Sequence, residues 1–91
     1  RSRELSWAAG YGHTENLQVL LAVPEIDVNM QAQNGYSALM WAAQEGHKET
    51  VQLLLAVPGI DDQGLSRALA CAVAQNRTEI VELLKKEMRW A

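Results

Sequence analysis

Phenylalanine is missing from this 91-residue sequence, and three tryptophans and two tyrosines are its only large rings. A core without many rings has to rely on small side chains and close helix approach, and the 48% hydrophobic content, rich in alanine, valine and leucine, fits that. Cysteine occurs once, at Cys71, so no intramolecular disulfide can form. Secreted domains of this size usually need disulfides, which favours an intracellular, cytoplasmic setting. No apolar run approaches the roughly 18 residues of a membrane span, so no membrane partner is expected. Basic residues are outnumbered: a net charge of −3 offers none of the basic surface that nucleic-acid phosphates call for, and no nucleic-acid partner is expected. No amino-terminal signal segment is visible. The chain begins at Arg1, inside a repeat unit, and is expected to be a piece of a longer protein.

What the sequence does hold is repetition. Asn34-Gly35-Tyr36-Ser37-Ala38-Leu39-Met40-Trp41-Ala42-Ala43-Gln44-Glu45-Gly46-His47 reads as a tight turn, a short helix of small residues and a second turn. Asn-Gly tolerates the positive φ of tight turns, Ser37 can cap the helix that Ala38 begins, and Gly46 can end it in the left-handed conformation. A second helix, Lys48 to Ala56, carries Val51, Leu54 and Leu55 at helical spacing. Trp7-Ala8-Ala9 returns 34 residues later as Trp41-Ala42-Ala43, and Leu20-Leu21-Ala22-Val23-Pro24 returns at the same offset as Leu54-Leu55-Ala56-Val57-Pro58. A third copy is offset by 30 residues: Glu49-Thr50-Val51-Gln52-Leu53-Leu54 matches Glu79-Ile80-Val81-Glu82-Leu83-Leu84, with the shortfall between Pro58 and Leu69. Self-similarity at a fixed period outranks any local reading. It gives a single repeat domain over 1–91, with approximate repeats 1–31, 32–62 and 63–91.

The period, with Asn34-Gly35-Tyr36-Ser37-Ala38-Leu39, Ala42-Ala43, Gly46-His47, Leu53-Leu54-Leu55 and Ile26-Asp27-Val28-Asn29, resembles the ankyrin repeats over nearly the whole chain. The family's Thr-Pro-Leu-His is Ser37-Ala38-Leu39-Met40 in the middle copy, and Arg3-Glu4-Leu5-Ser6 and Arg67-Ala68-Leu69-Ala70 in the others. No copy keeps the histidine that in the family hydrogen-bonds between repeats. The resemblance implies an all-α ankyrin-repeat solenoid of three stacked helix-turn-helix units with projecting hairpin-like loops. It also implies a non-enzymatic protein-protein interaction module presenting a rigid concave and finger surface to another protein. Two alternatives stand beside it: a structural spacer of a longer solenoid, or a substrate-positioning region of a multidomain enzyme or effector.

In this frame the first helix runs roughly from Arg3 to Gly10 behind a Ser2 cap. Thr14 is expected to cap the second helix, and Thr78 the last, which runs from Glu79 to near Met88. Leu17, Leu20 and Leu21 form one apolar stripe ended by Pro24, and Leu20 and Leu54 are expected to be nearly inaccessible. Ile26-Asp27-Val28-Asn29 alternates as an extended segment leading to a hairpin-like finger that closes near Asn34-Gly35. Gly59-Ile60-Asp61-Asp62-Gln63-Gly64 reads as a clipped finger, with Ser66 capping the next helix. Lys85 stands where earlier copies carry Leu21 and Leu55, as expected of a last helix with no outer neighbour, and Lys85, Lys86 and Arg89 suit the helix's negative end. The amino end lacks such a finish. Leu5 and Leu17 are expected to be partly exposed there, or covered by self-association through the amino-terminal face.

Chemical sites are scarce. His13 and His47 occupy equivalent turn positions on the order of 10 Å apart, too far to share a metal, and read as turn histidines bonding backbone. Cys71 sits where the other copies place Trp7 and Trp41, without an activating base, and reads as a small buried apolar residue. Asp27, Asp61 and Asp62 lack the alternating ligands of a calcium loop, and there is no phosphate-binding glycine loop. No catalytic residue, metal or cofactor is expected. The interaction candidates are residues the repeat frame does not need: Gln31, Gln33, Asn34 and Tyr36 on the finger, Gln44 and Glu45 ending a first helix, and Gly10-Tyr11 and Ala74-Gln75 in equivalent places. Two tyrosines among amides suit protein recognition, with Tyr36 expected at the centre. Met40 and Trp41 join the set as residues that either fill the layer between repeats or meet a partner, and Trp7 is open between the same roles.

Overall fold

A computed structural model describes residues 2–24, 26–31, 35–57 and 59–88, the side chains of Ser2 and Arg3 excepted. Helices follow in pairs: α1 (Ser2–Tyr11) with α2 (Thr14–Leu21), α3 (Ala38–Glu45) with α4 (Lys48–Ala56), and α5 (Asp62–Ala74) with α6 (Thr78–Glu87). No strand occurs among the described residues. α3 packs between α1 and α5, and α4 between α2 and α6, so first helices form one layer and second helices the other. Alanines hold the first layer together. Ala8, Ala9, Ala42, Ala43, Ala68 and Ala72 are buried, and side chains this small let helix backbones pack closely without large rings. Leu5, Leu17, Leu39, Val51, Leu54 and Leu84 complete the core.

One turn recurs within each pair. The N–H groups of His13, His47 and Arg77 donate to the carbonyls of Ala8, Ala42 and Ala72 at 2.9, 3.0 and 2.8 Å. That closure needs a left-handed residue, supplied by Gly12 (φ 71°), Gly46 (φ 80°) and, where the third copy has no glycine, Asn76 (φ 58°). The side chains after these residues reach back to the preceding repeat. His47 Nε2 donates to the Gly10 carbonyl at 3.0 Å, and Arg77 Nε to the Gln44 carbonyl at 3.1 Å. Gly10 and Gln44 hold the same place in consecutive copies, so each of these turns is tied to the end of the previous first helix. A carbonyl can only accept, so the imidazole carries its proton on Nε2. Turn residues thus make bonds between repeats in the absence of a histidine at the helix start.

Ser37 caps α3, accepting from Met40 N–H at 3.4 Å. Thr14 and Thr78 do not cap: each is the first residue of its helix, behind His13 and Arg77, with no side-chain cap bond. The shortened connection before the third repeat is not a clipped finger either. Asp61 caps α5 by accepting from Gly64 N–H at 2.7 Å, so the helix starts at Asp62 and Ser66 lies exposed within it. After α2 the chain turns rather than extends: Asn29 N–H donates to Asp27 Oδ1 at 3.0 Å, and Met30 N–H to the Asp27 carbonyl at 3.2 Å. The apolar members of that alternation, Ile26 and Val28, pack against the core around this turn. The Asn29 amide then bridges the two loops, donating to the Gly59 carbonyl at 2.6 Å and accepting from Asp61 N–H at 3.0 Å. The Ser2 cap, the Asn34 half of the finger turn, the Pro58 stop and Arg89 lie outside the described residues and side chains.

Both ends of the stack depart from expectation. Leu5 and Leu17 are buried, at 2% and 0% exposure, whereas Leu20 is only half-buried although its counterpart Leu54 is fully so. Val19 on α2 is largely exposed. At the other end Lys85 and Lys86 face solvent as expected, yet Val73, at the place of buried Ala9 and Ala43, is exposed too. The last repeat thus exposes lysines on α6 and one large apolar side chain, Val73, on α5.

Candidate functional site

Equivalent residues of the three copies lie side by side across α1, α3 and α5. The face of this layer is therefore a grid whose rows can be written from the sequence: Trp7, Trp41, Cys71; Gly10, Gln44, Ala74; Tyr11, Glu45, Gln75. In the amino half the rows are aromatic. Trp7 is 68% exposed and Tyr11 61%, and their rings meet edge-on, one helical turn apart, with centroids 5.4 Å apart and planes at 84°. Gly10 presents no side chain beside Trp41; a Cβ there would stand 3.7 Å from the Trp41 Cβ. Trp7, Gly10 and Tyr11 of α1, Trp41 and Glu45 of α3, and His47 in the following turn line a groove of about 540 Å³. Its His47 wall is fixed by the bond to the Gly10 carbonyl. The shape and lining suit a side chain from another molecule, apolar surface with few polar groups.

Toward α5 the grid closes. Tyr36 leans on Trp41, with centroids 4.9 Å apart and planes at 47°, and its hydroxyl donates to Gln44 Oε1 at 2.7 Å. Cys71 adjoins the same hydroxyl. Negative charge on the Cys71 thiol raises the titration of Tyr36 above the ordinary 10.0, with burial and a hydrogen bond to Cys71 adding to it. Tyr36 is therefore a half-buried residue held by its neighbours, which corrects the picture of an anchor projecting from a finger. Cys71 is likewise half-buried rather than buried.

Of the residues singled out in the sequence, Tyr11, Trp41 and Glu45 come together on the groove. Gln44 is half-buried and bonded to Tyr36. Gln31, after α2, and Gln75, at the end of α5, are exposed but do not line it. Gln33 and Asn34 lie outside the described residues. Met40 is 3% exposed and belongs to the core, which corrects its place among surface candidates. Trp7 and His47 line the groove without having been assigned to it. The signal for Trp7 was its row, shared with Trp41; His47 gave none, because a turn residue of one repeat reaches the helix end of another. Among the described residues no three His, Cys, Asp or Glu side chains come together, and no helix is long and apolar enough to cross a membrane.

The sequence pattern of the ankyrin repeats, in three copies, matches residues 5–89. Among solved structures the chain is similar to a chain in the complex of a predatory endopeptidase from Bdellovibrio bacteriovorus with an immunity protein, at 31% identity and a TM-score of 0.79. That likeness takes in 94% of this chain and 46% of the other, so this chain spans about half the length of the one it matches. No curated protein matches it. Paired helices in register, a left-handed turn at the same point of every copy and a family pattern running almost end to end make this chain a member of the ankyrin repeat family.

Proposed function

We propose that this chain is a non-enzymatic protein-binding module whose partner protein sits on the amino half of the first-helix face. The observation that carries this reading is the pair of large rings, Trp7 and Tyr11, exposed beside a groove on a rigid helix. Tryptophan and tyrosine are the commonest interface anchors, and a preformed helical surface limits the ordering cost of association. The ankyrin fold, and a similar chain in a complex of two proteins, support it further. Tyr11, Trp41 and Glu45, with Trp7, form the proposed centre. Gln31, Gln33, Asn34, Tyr36, Gln44 and Gln75 are the proposed surroundings.

The test compares wild type with a Trp7→Ala, Tyr11→Ala double variant, first for the protein each captures from a lysate and then for its Kd by calorimetry. The variant should melt like wild type, since both rings are exposed, and bind at least about tenfold more weakly, an anchor costing more than about 1 kcal/mol. Equal dissociation constants would remove the reading. Exposed Val19 beside half-buried Leu20 and Leu21 also supports self-association through the amino-terminal face. Sedimentation showing a strict monomer at high concentration would exclude it.

A further inference from the structure

We propose that the groove on the first-helix face selects a guanidinium. An arginine of the partner protein lies against the rings of Trp7, Tyr11 and Trp41 with its N–H fork on the Glu45 carboxylate. The proposal rests on reading this face as the docking surface and adds the chemistry of what enters it.

Charge leads to it. Glu45 is exposed at the groove and, among the described residues, its carboxylate has neither an ion pair nor a hydrogen bond. The ion pair formed among the described residues, Lys48 Nζ to Glu79 at 3.7 Å, lies away from the groove on the second helices. Among the described residues no lysine or arginine lines the groove, and the Nε2 proton of His47 is committed to the Gly10 carbonyl. The faces of the three rings add the negative side of their quadrupoles to that carboxylate. An apolar side chain seated here would strip water from Glu45 and give it no partner, and an acidic one would meet repulsion. A cation meets the rings and the carboxylate together with charge as well as contact, which a neutral donor does not.

Shape then favours arginine over lysine. The Trp7 and Tyr11 planes stand at 84°, so a flat group can lie on one ring while its edge stays free for the carboxylate. A guanidinium is planar, more weakly hydrated than an ammonium, and carries the fork that matches a carboxylate. The net charge of −3 gives a basic partner a modest long-range attraction as well.

The experiment uses an acetylated, amidated pentapeptide with one arginine between glycines, and counterparts carrying citrulline, which keeps the shape without the charge, or lysine. Each is titrated into isotope-labelled protein while the indole N–H signals of Trp7 and Trp41 are followed. The arginine peptide should move both signals and saturate at millimolar concentration, with citrulline weaker by about tenfold and lysine in between. Glu45→Gln should bring arginine binding down toward the citrulline level without changing the melting curve. Equal binding of arginine and citrulline, no movement with either, or full binding by the Glu45→Gln variant would each overturn cation selection. A lysine peptide as tight as the arginine one would overturn the choice of guanidinium. The natural partner separates this failure from that of the docking surface. Loss of binding on Trp7→Ala with none on Glu45→Gln leaves the surface standing and removes the guanidinium, whereas indifference to both removes the surface itself.

Discussion

Leu20 and Leu54 are the same residue at the same place in consecutive repeats, yet Leu54 is fully buried and Leu20 only half. What differs is the neighbour: the middle repeat has one on each side, the first repeat has one on its carboxyl side. Leu17 and Val81 give the converse, since Leu17 is buried and its counterpart in the last repeat is half-buried. Each helix pair therefore has two edges, and burial at either is conferred by the adjoining copy. A residue's contribution to stability here belongs to a pair of repeats, and identity at a position says little about the cost of removing it.

Leu54→Ala should show this most strongly, costing about 2–5 kcal/mol in urea unfolding, enough to prevent folding in so small a stack. Leu20→Ala should cost roughly half as much, because much of that side chain already meets water. Equal costs would break the comparison. The turn glycines sharpen it, since both are covered from the carboxyl side and the first repeat loses its discount. Alanine in the left-handed region costs about 1–2 kcal/mol. At Gly12 the new Cβ would also stand 2.7 Å from His47 Nδ1, on a rigid ring tied to Gly10, whereas at Gly46 it would meet the Arg77 guanidinium at 2.9 Å, tied to Gln44 but on a longer side chain with more rotatable bonds. Gly12→Ala should lower the melting temperature more than Gly46→Ala, the reverse of the leucine order.

Thr50 offers a smaller effect of opposite sign. It is fully buried in the middle repeat with no partner for its hydroxyl among the described residues, while Asn16 in the first copy is exposed and Ile80 in the third is buried. Thr50→Val should stabilise by about 1 kcal/mol in the same unfolding assay, with Asn16→Val close to neutral. The smallest effect probes the contact between the middle and last repeats. Because the folded chain raises the Tyr36 titration, chiefly through charge on Cys71, it holds the phenolic proton more tightly than the unfolded chain does. The stability gained is complete below about pH 10 and is lost as pH rises through the folded value. The melting temperature of wild type should therefore fall more steeply above pH 10 than that of Tyr36→Phe, and Cys71→Ala should flatten the fall as well.

The period, the Ser37 cap, the Gly46 stop and the span of α4 were all legible in the sequence, because each follows from local chemistry or from a repeated string. Leu20 was misread because its burial depends on an adjoining copy, and local periodicity carries no information about one. Asp61 was misread because an acidic pair between two nearby glycines looks like loop, whereas its side chain accepts from Gly64 N–H and starts a helix. On the groove, Tyr11, Trp41 and Glu45 could be placed from the rows of the grid alone. Met40 could not, since its row holds buried Ser6 and exposed Ala70 and gives no single direction. The hold on Tyr36 was hidden for a different reason: it depends on Cys71, in the next repeat.

The side-chain bonds that cross repeat boundaries join residues 30 to 37 positions apart, from Asn29–Gly59 to His47–Gly10. A chain folding through such bonds closes loops of one fixed size, and the entropy of closure grows only with the logarithm of loop length. Its search is set by the spacing of one repeat and not by the length of the whole, the circumstance in which folding is fast for its size. The first two repeats can therefore dock while the third is still being synthesised.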